Sequence, residues 1–337
     1  MRNFGIEILR MILCFWVVLF HCLRKSESYI IINFKRKMFH VPSFFFISFY
    51  FLFPVIKERN IKKMKLRLER LTIPYLFWPV IIWCLNNIFQ LFLKKSLYGY
   101  FIPLIQLEKQ IIVGRVFCGH LWFLFNLLIF TIIFFILIIV LKLNNFLKVI
   151  QLFSIISYIL QYSKYNYYFF DKYKDSVSHS VGHFVESFPI AISAFFVKYS
   201  DIINKIFKWR KIVIFYSFLF NYFIYKYGIF KFIETYGKTY NYNGFDKNFF
   251  AIFSFISFYL IPFEKIQSDK LKTFIIIISN YTQGIYYIHP IIISYTTKYL
   301  YLNRTFKGCI IVYIISYLFS FIGSKLCYKS KLKYLFI

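Results

Sequence analysis

Long apolar segments alternate with short polar, mostly basic segments along the whole chain. Each apolar segment has about 16 to 24 residues, the length that an α-helix needs to cross a hydrocarbon layer about 30 Å thick. No loop between them is long enough for a soluble domain. The pattern predicts an all-α fold, a polytopic membrane helical bundle of about ten transmembrane helices in a single domain over residues 1–337. The ten segments are residues 4–23, 38–56, 72–93, 119–141, 146–162, 184–199, 211–228, 248–263, 273–297 and 306–327.

The composition fits a membrane protein and argues against a soluble domain and against a nucleic-acid-binding protein. Hydrophobic residues make up 60% of the chain, more than is usual in a soluble domain. The net charge of +29 comes mostly from Lys scattered between the apolar segments, without a repeated basic-aromatic module, so we expect no nucleic-acid partner. The six cysteines form no CxxC pair, and we expect them to be small buried residues without a bound metal.

The distribution of basic residues predicts the orientation in the membrane. One short loop, residues 57–70, carries seven Lys and Arg residues against Glu58 and Glu69, and such loops face the cytoplasm. We therefore expect a multi-pass protein of the inner (plasma) membrane with both termini cytoplasmic. The first apolar segment is followed by Arg24 and Lys25 rather than by a small-residue cleavage site, so we expect it to remain as a membrane helix.

Three ionisable residues lie within or at the ends of the first apolar segment, Glu7, Arg10 and His21. Such residues cost about 2.5–3.5 kcal/mol at the bilayer centre and usually mark a functional interior. In a helix, the eleven steps from Arg10 to His21 return to within about 20° of the same face, about 16 Å further along the axis. Glu7 is three residues from Arg10 and can pair with it. A neutral imidazole at His21 can accept a proton from a hydroxyl or accept an acyl group. The alternative is that Arg10 extends to the headgroups and His21 only caps the outer end of the helix.

Two guanidinium groups lie three residues apart in the basic loop. If residues 62–70 form a helical turn, Arg67 and Arg70 share a face and can bind phosphate oxygens bidentately. The alternative is ordinary positive charge on a cytoplasmic loop.

Further polar residues occur near the ends of later segments. His120 and Trp122 begin the fourth segment, as cavity-facing or interfacial side chains. Tyr286 and His289 precede Pro290 in the ninth segment, where a kinked helix can line a cavity or the histidine can bond to a freed carbonyl. Glu186 is a possible partner for a buried histidine.

Five motifs follow one another in order between residues 2 and 295. Taken together, they resemble those of the membrane acyltransferase-3 family of O-acyltransferases, although residues 142 to 270 match only in hydropathy. Phe49 stands where the family has Gly in the second motif. The motifs are Glu7-x-x-Arg10 with Arg10-x10-His21, the Phe-rich segment 41–50 with Ser48, Arg67-x-x-Arg70 followed by Ile73-Pro74-Tyr75, residues 119–124, and residues 284–290.

The resemblance implies transfer of an acyl group, usually acetyl from acetyl-CoA, to a hydroxyl of a cell-surface glycan or its lipid-linked precursor. Arg67 and Arg70 would then bind the CoA phosphates, and Arg10 would stabilise the donor. His21 would be either the general base or a transient acyl carrier, and these alternatives stay open. Acetyl-CoA would be the co-substrate, with no metal. Further residues expected to line the cavity are Glu7, Ser48, His120, Trp122, Tyr286 and His289.

The main alternative is a polysaccharide flippase or another membrane transporter, which would also be a helical bundle with buried charge. Transporters of that kind often contain internal repeats and discontinuous helices at matching positions of the two halves. The sequence has no detectable repeat of this kind. A glycan polymerase is less favoured, because no outer loop is large.

Overall fold

The computed structural model describes residues 3–22, 40–93, 101–114, 116–162, 184, 187–199, 202–227, 245–299 and 306–337. Within these ranges the regular secondary structure is helical throughout, so the prediction of an all-α fold is confirmed. Glu186 lies outside the described residues. The α-helices are α1 (Phe4–Cys22), α2 (His40–Lys57), α3 (Ile61–Leu93), α4 (Leu104–Val113), α5 (Trp122–Val140), α6 (Leu143–Tyr162), α7 (Phe188–Tyr199), α8 (Ile202–Phe207), α9 (Arg210–Tyr227), α10 (Phe245–Leu260), α11 (Asp269–Asn280), α12 (Thr282–Tyr299) and α13 (Phe306–Leu326).

Five helical segments in the described ranges are long and apolar enough to cross a membrane. They are α1, α2, α3, α13 and the segment Gly119–Val140 that contains α5. Two shorter apolar helical segments, Phe188–Tyr199 and Asn248–Leu260, add to these. The predicted number of ten membrane spans is therefore larger than the five described segments that are both long enough and apolar enough to cross a membrane. The structure agrees with a membrane protein built from helices of unequal length.

Helix α3 begins eleven residues earlier than the third predicted span. The Asn60 Oδ1 atom accepts a hydrogen bond from the Lys63 N–H group at 3.0 Å, which caps the first turn. The following basic segment consists mostly of good helix formers, and the helix continues through Pro74 and Pro79. Arg67 and Arg70 therefore lie on a helix, as hypothesised, and the prediction that this helix starts at residue 72 is wrong.

The predicted continuous span at 273–297 is also wrong, because it divides into α11 and α12 around Tyr281. Two side chains near the break bond to backbone carbonyls three residues earlier. The Ser279 hydroxyl donates to the Ile276 carbonyl at 3.1 Å, and the Thr282 hydroxyl donates across the break to the Ser279 carbonyl at 2.9 Å. Bonds of this type also occur inside the unbroken helices, as at Ser154 and Ser257, so they accompany the break without causing it.

The chain forms two compact units, and the bounds between them fall within four helices, α1, α3, α5 and α11. The first unit comprises residues 1–9, 37–66 and 129–272, and the second comprises residues 10–36, 67–128 and 273–337. Phenylalanine rings form the core of the first unit. Phe49 is fully buried, with ring centroids 5.2 Å from Phe130 and 5.8 Å from Phe134. Phe49, which replaces the family's Gly, therefore serves as a core residue.

Candidate functional site

Helices α1 and α12 in the second unit bring Arg10 and His21 against two polar side chains. The Arg10 Nη2 atom donates a hydrogen bond to the Thr282 hydroxyl at 3.2 Å. Further along both helices, the His21 ring is 5.1 Å from the His289 ring, measured between centroids. Because the two contacts occur in the same order along both helices, α1 and α12 run in the same direction here.

His120 completes a cluster of three imidazoles with His21 and His289. The centroids of the His120 and His289 rings are 6.0 Å apart. Tyr286 lies 6.1 Å from the His120 ring and 6.0 Å from the His289 ring. The Tyr286 hydroxyl also donates a hydrogen bond to the His120 backbone carbonyl. The structure thus brings together four predicted site residues from three separate parts of the sequence, and we call them the histidine cluster (His21, His120, Tyr286 and His289).

The turn before α5 places His120 through a chain of capping interactions. Helix α4 ends at Val113 and is followed by Gly114, which has the left-handed φ of 79° that favours glycine. The Gln110 side-chain carbonyl then accepts hydrogen bonds from the Val116 N–H at 2.6 Å and the Cys118 N–H at 2.9 Å. A single 3-10 turn, Gly119–Leu121, follows and carries His120. The apolar pattern of the sequence did not indicate α4 or this role of Gln110.

Two nitrogen atoms of the histidine cluster are buried without a hydrogen-bond partner among the described residues, His120 Nε2 and His289 Nε2. The His289 Nδ1 atom lies 3.2 Å from the Ile285 carbonyl. Because a carbonyl oxygen only accepts, we assign the proton to Nδ1, so that Nε2 of the neutral ring is a free acceptor. An unsatisfied buried polar group costs about 1–3 kcal/mol, and such groups call for a functional explanation. The site can therefore receive a donor such as a hydroxyl.

Thr282 is a site residue that the sequence analysis missed. Its hydroxyl accepts from Arg10 and donates to the Ser279 carbonyl, while its own carbonyl lies 3.3 Å from the Cys14 sulfur. A threonine at the start of a helix has an ordinary capping role, and nothing in its sequence neighbourhood points to Arg10, which is 272 residues away. Only the tertiary structure brings the two residues together.

Arg67 and Arg70 also belong to the second unit. Arg67 is half-buried and Arg70 is exposed, with its guanidinium carbon 5.5 Å from the centre of the Tyr334 ring. Next to them, Glu69 forms an ion pair with Lys331 at 2.7 Å.

Three further predicted residues are not members of the histidine cluster. Glu7 and Ser48 are half-buried residues of the first unit. Trp122 is buried at the first position of α5, with its ring edge-on to Phe123 at 6.4 Å. Within the described part of the chain, no group of three His, Cys, Asp or Glu side chains is arranged to hold a metal ion.

The family now follows from a direct comparison. A family model described as an acyltransferase domain matches residues 3–329. The chain belongs to the acyltransferase-3 family. The match covers essentially the whole sequence, including both units and the histidine cluster. The comparisons with curated proteins and with solved structures found no match. Together with the membrane-length helices, the family identifies this acyltransferase as a membrane protein.

Proposed function

We propose that this acyltransferase transfers an acetyl group from acetyl-CoA to a hydroxyl of a cell-surface polysaccharide or of its lipid-linked precursor. One observation carries the proposal. His21 contacts His289 in a cluster whose His289 and His120 Nε2 atoms are buried and lack a partner among the described residues. A neutral His289 with its proton on Nδ1 suits a hydroxyl substrate, since its Nε2 atom accepts a hydrogen bond.

His21 is the proposed reacting residue, by one of two routes. As a general base, its imidazole takes the proton of the acceptor hydroxyl while the oxygen attacks the thioester carbonyl; the C–S bond then breaks, and the proton passes to the CoA thiolate. As a nucleophile, the imidazole nitrogen first attacks the thioester carbonyl, the C–S bond breaks, and the thiolate takes the N–H proton of the ring; the acceptor hydroxyl then attacks the acetyl group on the ring and returns its proton to the imidazole. Both routes begin with a neutral imidazole and end with acetyl ester and CoA thiol.

Arg10 is proposed to stabilise the negative charge that develops on the thioester oxygen. Its position on the same helix face as His21 and its hydrogen bond to Thr282 support this role, because the bond limits the guanidinium to few orientations. A fixed cation in a site of low dielectric needs little reorganisation as the charge develops. The pantetheine arm would extend along α1 from Arg10 towards His21.

Arg67 and Arg70 are proposed to bind the phosphates of CoA at the cytoplasmic side. They lie on one face of α3, and the exposed guanidinium of Arg70 is accessible to a soluble donor. The contacts of Glu69 and Arg70 with residues 331–334 put this basic segment beside the residues that follow α13. That arrangement supports a single basic surface facing the compartment that supplies acetyl-CoA.

The proposed function is tested by the products of the reaction. Cells that carry the gene should show an acetyl mass increment on their surface glycans by mass spectrometry, and cells without it should not. Purified protein in lipid nanodiscs should release CoA thiol from acetyl-CoA when the glycan acceptor is present. Identical glycans in both cells, with the protein shown to be in the membrane, would contradict the proposal and favour transport.

Replacing Arg67 with alanine should mainly weaken the use of the donor. Loss of a charge-assisted phosphate contact of about 1.5–3 kcal/mol corresponds to an increase of about tenfold or more in the KM for acetyl-CoA. We expect kcat to change much less. Lys65→Ala is the matched control, because Lys65 is an exposed basic residue on the same helix. Equal effects of both substitutions on KM would indicate a general charge effect and contradict a specific role for Arg67.

A further inference from the structure

The residues that follow α13 form a short, well-anchored turn, Lys331–Leu335. The Ser330 hydroxyl accepts a hydrogen bond from the Leu332 N–H at 3.2 Å, which caps the turn. Tyr334 and Leu335 are buried, although the neighbouring Lys331 is exposed. None of the sequence motifs includes this segment.

Close packing and an ion pair hold the turn against α3, α12 and α13. The Trp78 indole N–H donates to the Leu335 carbonyl at 3.3 Å. A Cβ atom at Gly284 would collide with the Phe336 carbonyl, and one at Gly323 would collide with the Phe336 ring, so the approach depends on both glycines. A turn fixed by this many contacts can hold side chains in defined positions.

The turn carries Lys333 to the same aromatic ring that Arg70 contacts. Tyr334 has two cations near its ring, the Arg70 guanidinium carbon at 5.5 Å and the Lys333 ammonium at 5.6 Å from the ring centre. These distances are within the range of cation–π attraction. Nearby, Lys331 pairs with Glu69 at 2.7 Å and so neutralises the acidic side chain beside Arg70. Arg70 and Lys333 therefore both lie near the Tyr334 ring, and the nearby Glu69 carboxylate is already paired with a lysine.

The two distances to the ring centre put the Arg70 and Lys333 cations no more than about 11 Å apart, so an anionic ligand beside them is attracted by both. A ligand with phosphate groups fits best, because a guanidinium can bind two oxygens of one phosphate and an ammonium can bind that phosphate or another one. The Tyr334 ring, together with the Tyr328 ring 6.0 Å from the Lys333 ammonium, restrains the cations before the anion arrives, which lowers the entropy cost of binding.

We propose that Arg70, Lys333 and Tyr334 form a phosphate-binding subsite, with Lys331 and Glu69 anchoring the turn that carries it. The identity of the ligand rests on the proposed function, in which the phosphate is that of the acyl-CoA donor. The same chemistry would also bind the phosphate of an anionic lipid headgroup. Tyr334 is a positioning residue in this account, since it acts through the two cations.

The experiment compares two acetyl donors in nanodiscs made only of zwitterionic lipid. Acetyl-CoA carries phosphates, whereas S-acetylpantetheine carries none. For Tyr334→Leu and Lys333→Ala we expect the KM for acetyl-CoA to rise about three- to tenfold, with kcat and the kinetics of S-acetylpantetheine unchanged. Tyr334→Phe keeps the aromatic ring and should restore most of the affinity for acetyl-CoA. Lys329→Ala, an exposed lysine close by, should behave like the unmodified protein.

Several outcomes would overturn the assignment. Equal losses with both donors would mean that the turn has only a structural role, and no change with either donor would mean that it has no role in binding. A second set of nanodiscs containing phosphatidylglycerol separates the two phosphate sources. If the variants alter only the response to that lipid, the subsite binds a headgroup and not the donor. If the unmodified protein neither binds CoA nor uses acetyl-CoA, the proposed function itself fails, independently of Tyr334.

Discussion

Replacement of His21 with alanine is expected to leave the protein in the membrane and to abolish acetylation of the surface glycan. A general base contributes about 10²–10⁴ in rate, and loss of a nucleophile costs at least as much. Alanine is a good helix former, so α1 should persist. The measurement is mass spectrometry of surface glycans, with the amount of protein in the membrane determined in parallel.

The control for this substitution is Phe20→Leu. The Phe20 ring packs edge-on against His21 at 5.1 Å, so the variant alters packing next to the imidazole but retains its chemistry. We expect it to keep most of the activity. Normal acetylation in cells with the His21→Ala protein would contradict the proposed role. Radiolabelled acetyl-CoA without acceptor then distinguishes the two routes, because only an acyl carrier leaves label on His21.

Replacement of Arg10 with methionine is expected to lower kcat about a hundredfold, with a much smaller change in KM. The reason is that one fixed donor to a developing oxyanion contributes about 10²–10³ to kcat. Methionine retains length and apolar packing within α1. The measurement is the steady-state release of CoA thiol by purified protein in nanodiscs. If Arg10→Met raises only KM, Arg10 binds the donor without stabilising the transition state.

The same prediction extends to Thr282, the hydrogen-bond partner of Arg10. Thr282→Val keeps the shape of the side chain but removes the hydroxyl, and a hydrogen bond to a charged group is worth about 1.5–3 kcal/mol. We expect kcat to fall about tenfold or more. Thr282→Ser restores the hydroxyl and should recover most of the loss. Equal losses in the valine and serine variants would indicate a packing role for Thr282 rather than a role in orienting Arg10.

Local periodicity explains what could be predicted correctly from the sequence. The all-α fold follows from apolar segments of membrane length, and the placement of Arg67 and Arg70 on a helix follows from helix-forming neighbours. The limits of helices were less predictable. Asn60 begins α3 earlier than hydropathy indicates, and α11 and α12 divide around Tyr281 although the segment is apolar enough to continue. An average of hydropathy over a window does not detect such local limits.

The sequence by itself determined the helical character of this protein, its family motifs and the common face of Arg10 and His21, because each depends on residues close together in the chain. Only the tertiary structure decided that His289 and His120 join His21, that Thr282 holds Arg10, and that Tyr334 lies beside Arg70. These pairs are separated by about 100 to 270 residues. Their contacts depend on how helices pack and on where turns end, for which short-range patterns of polarity carry no information.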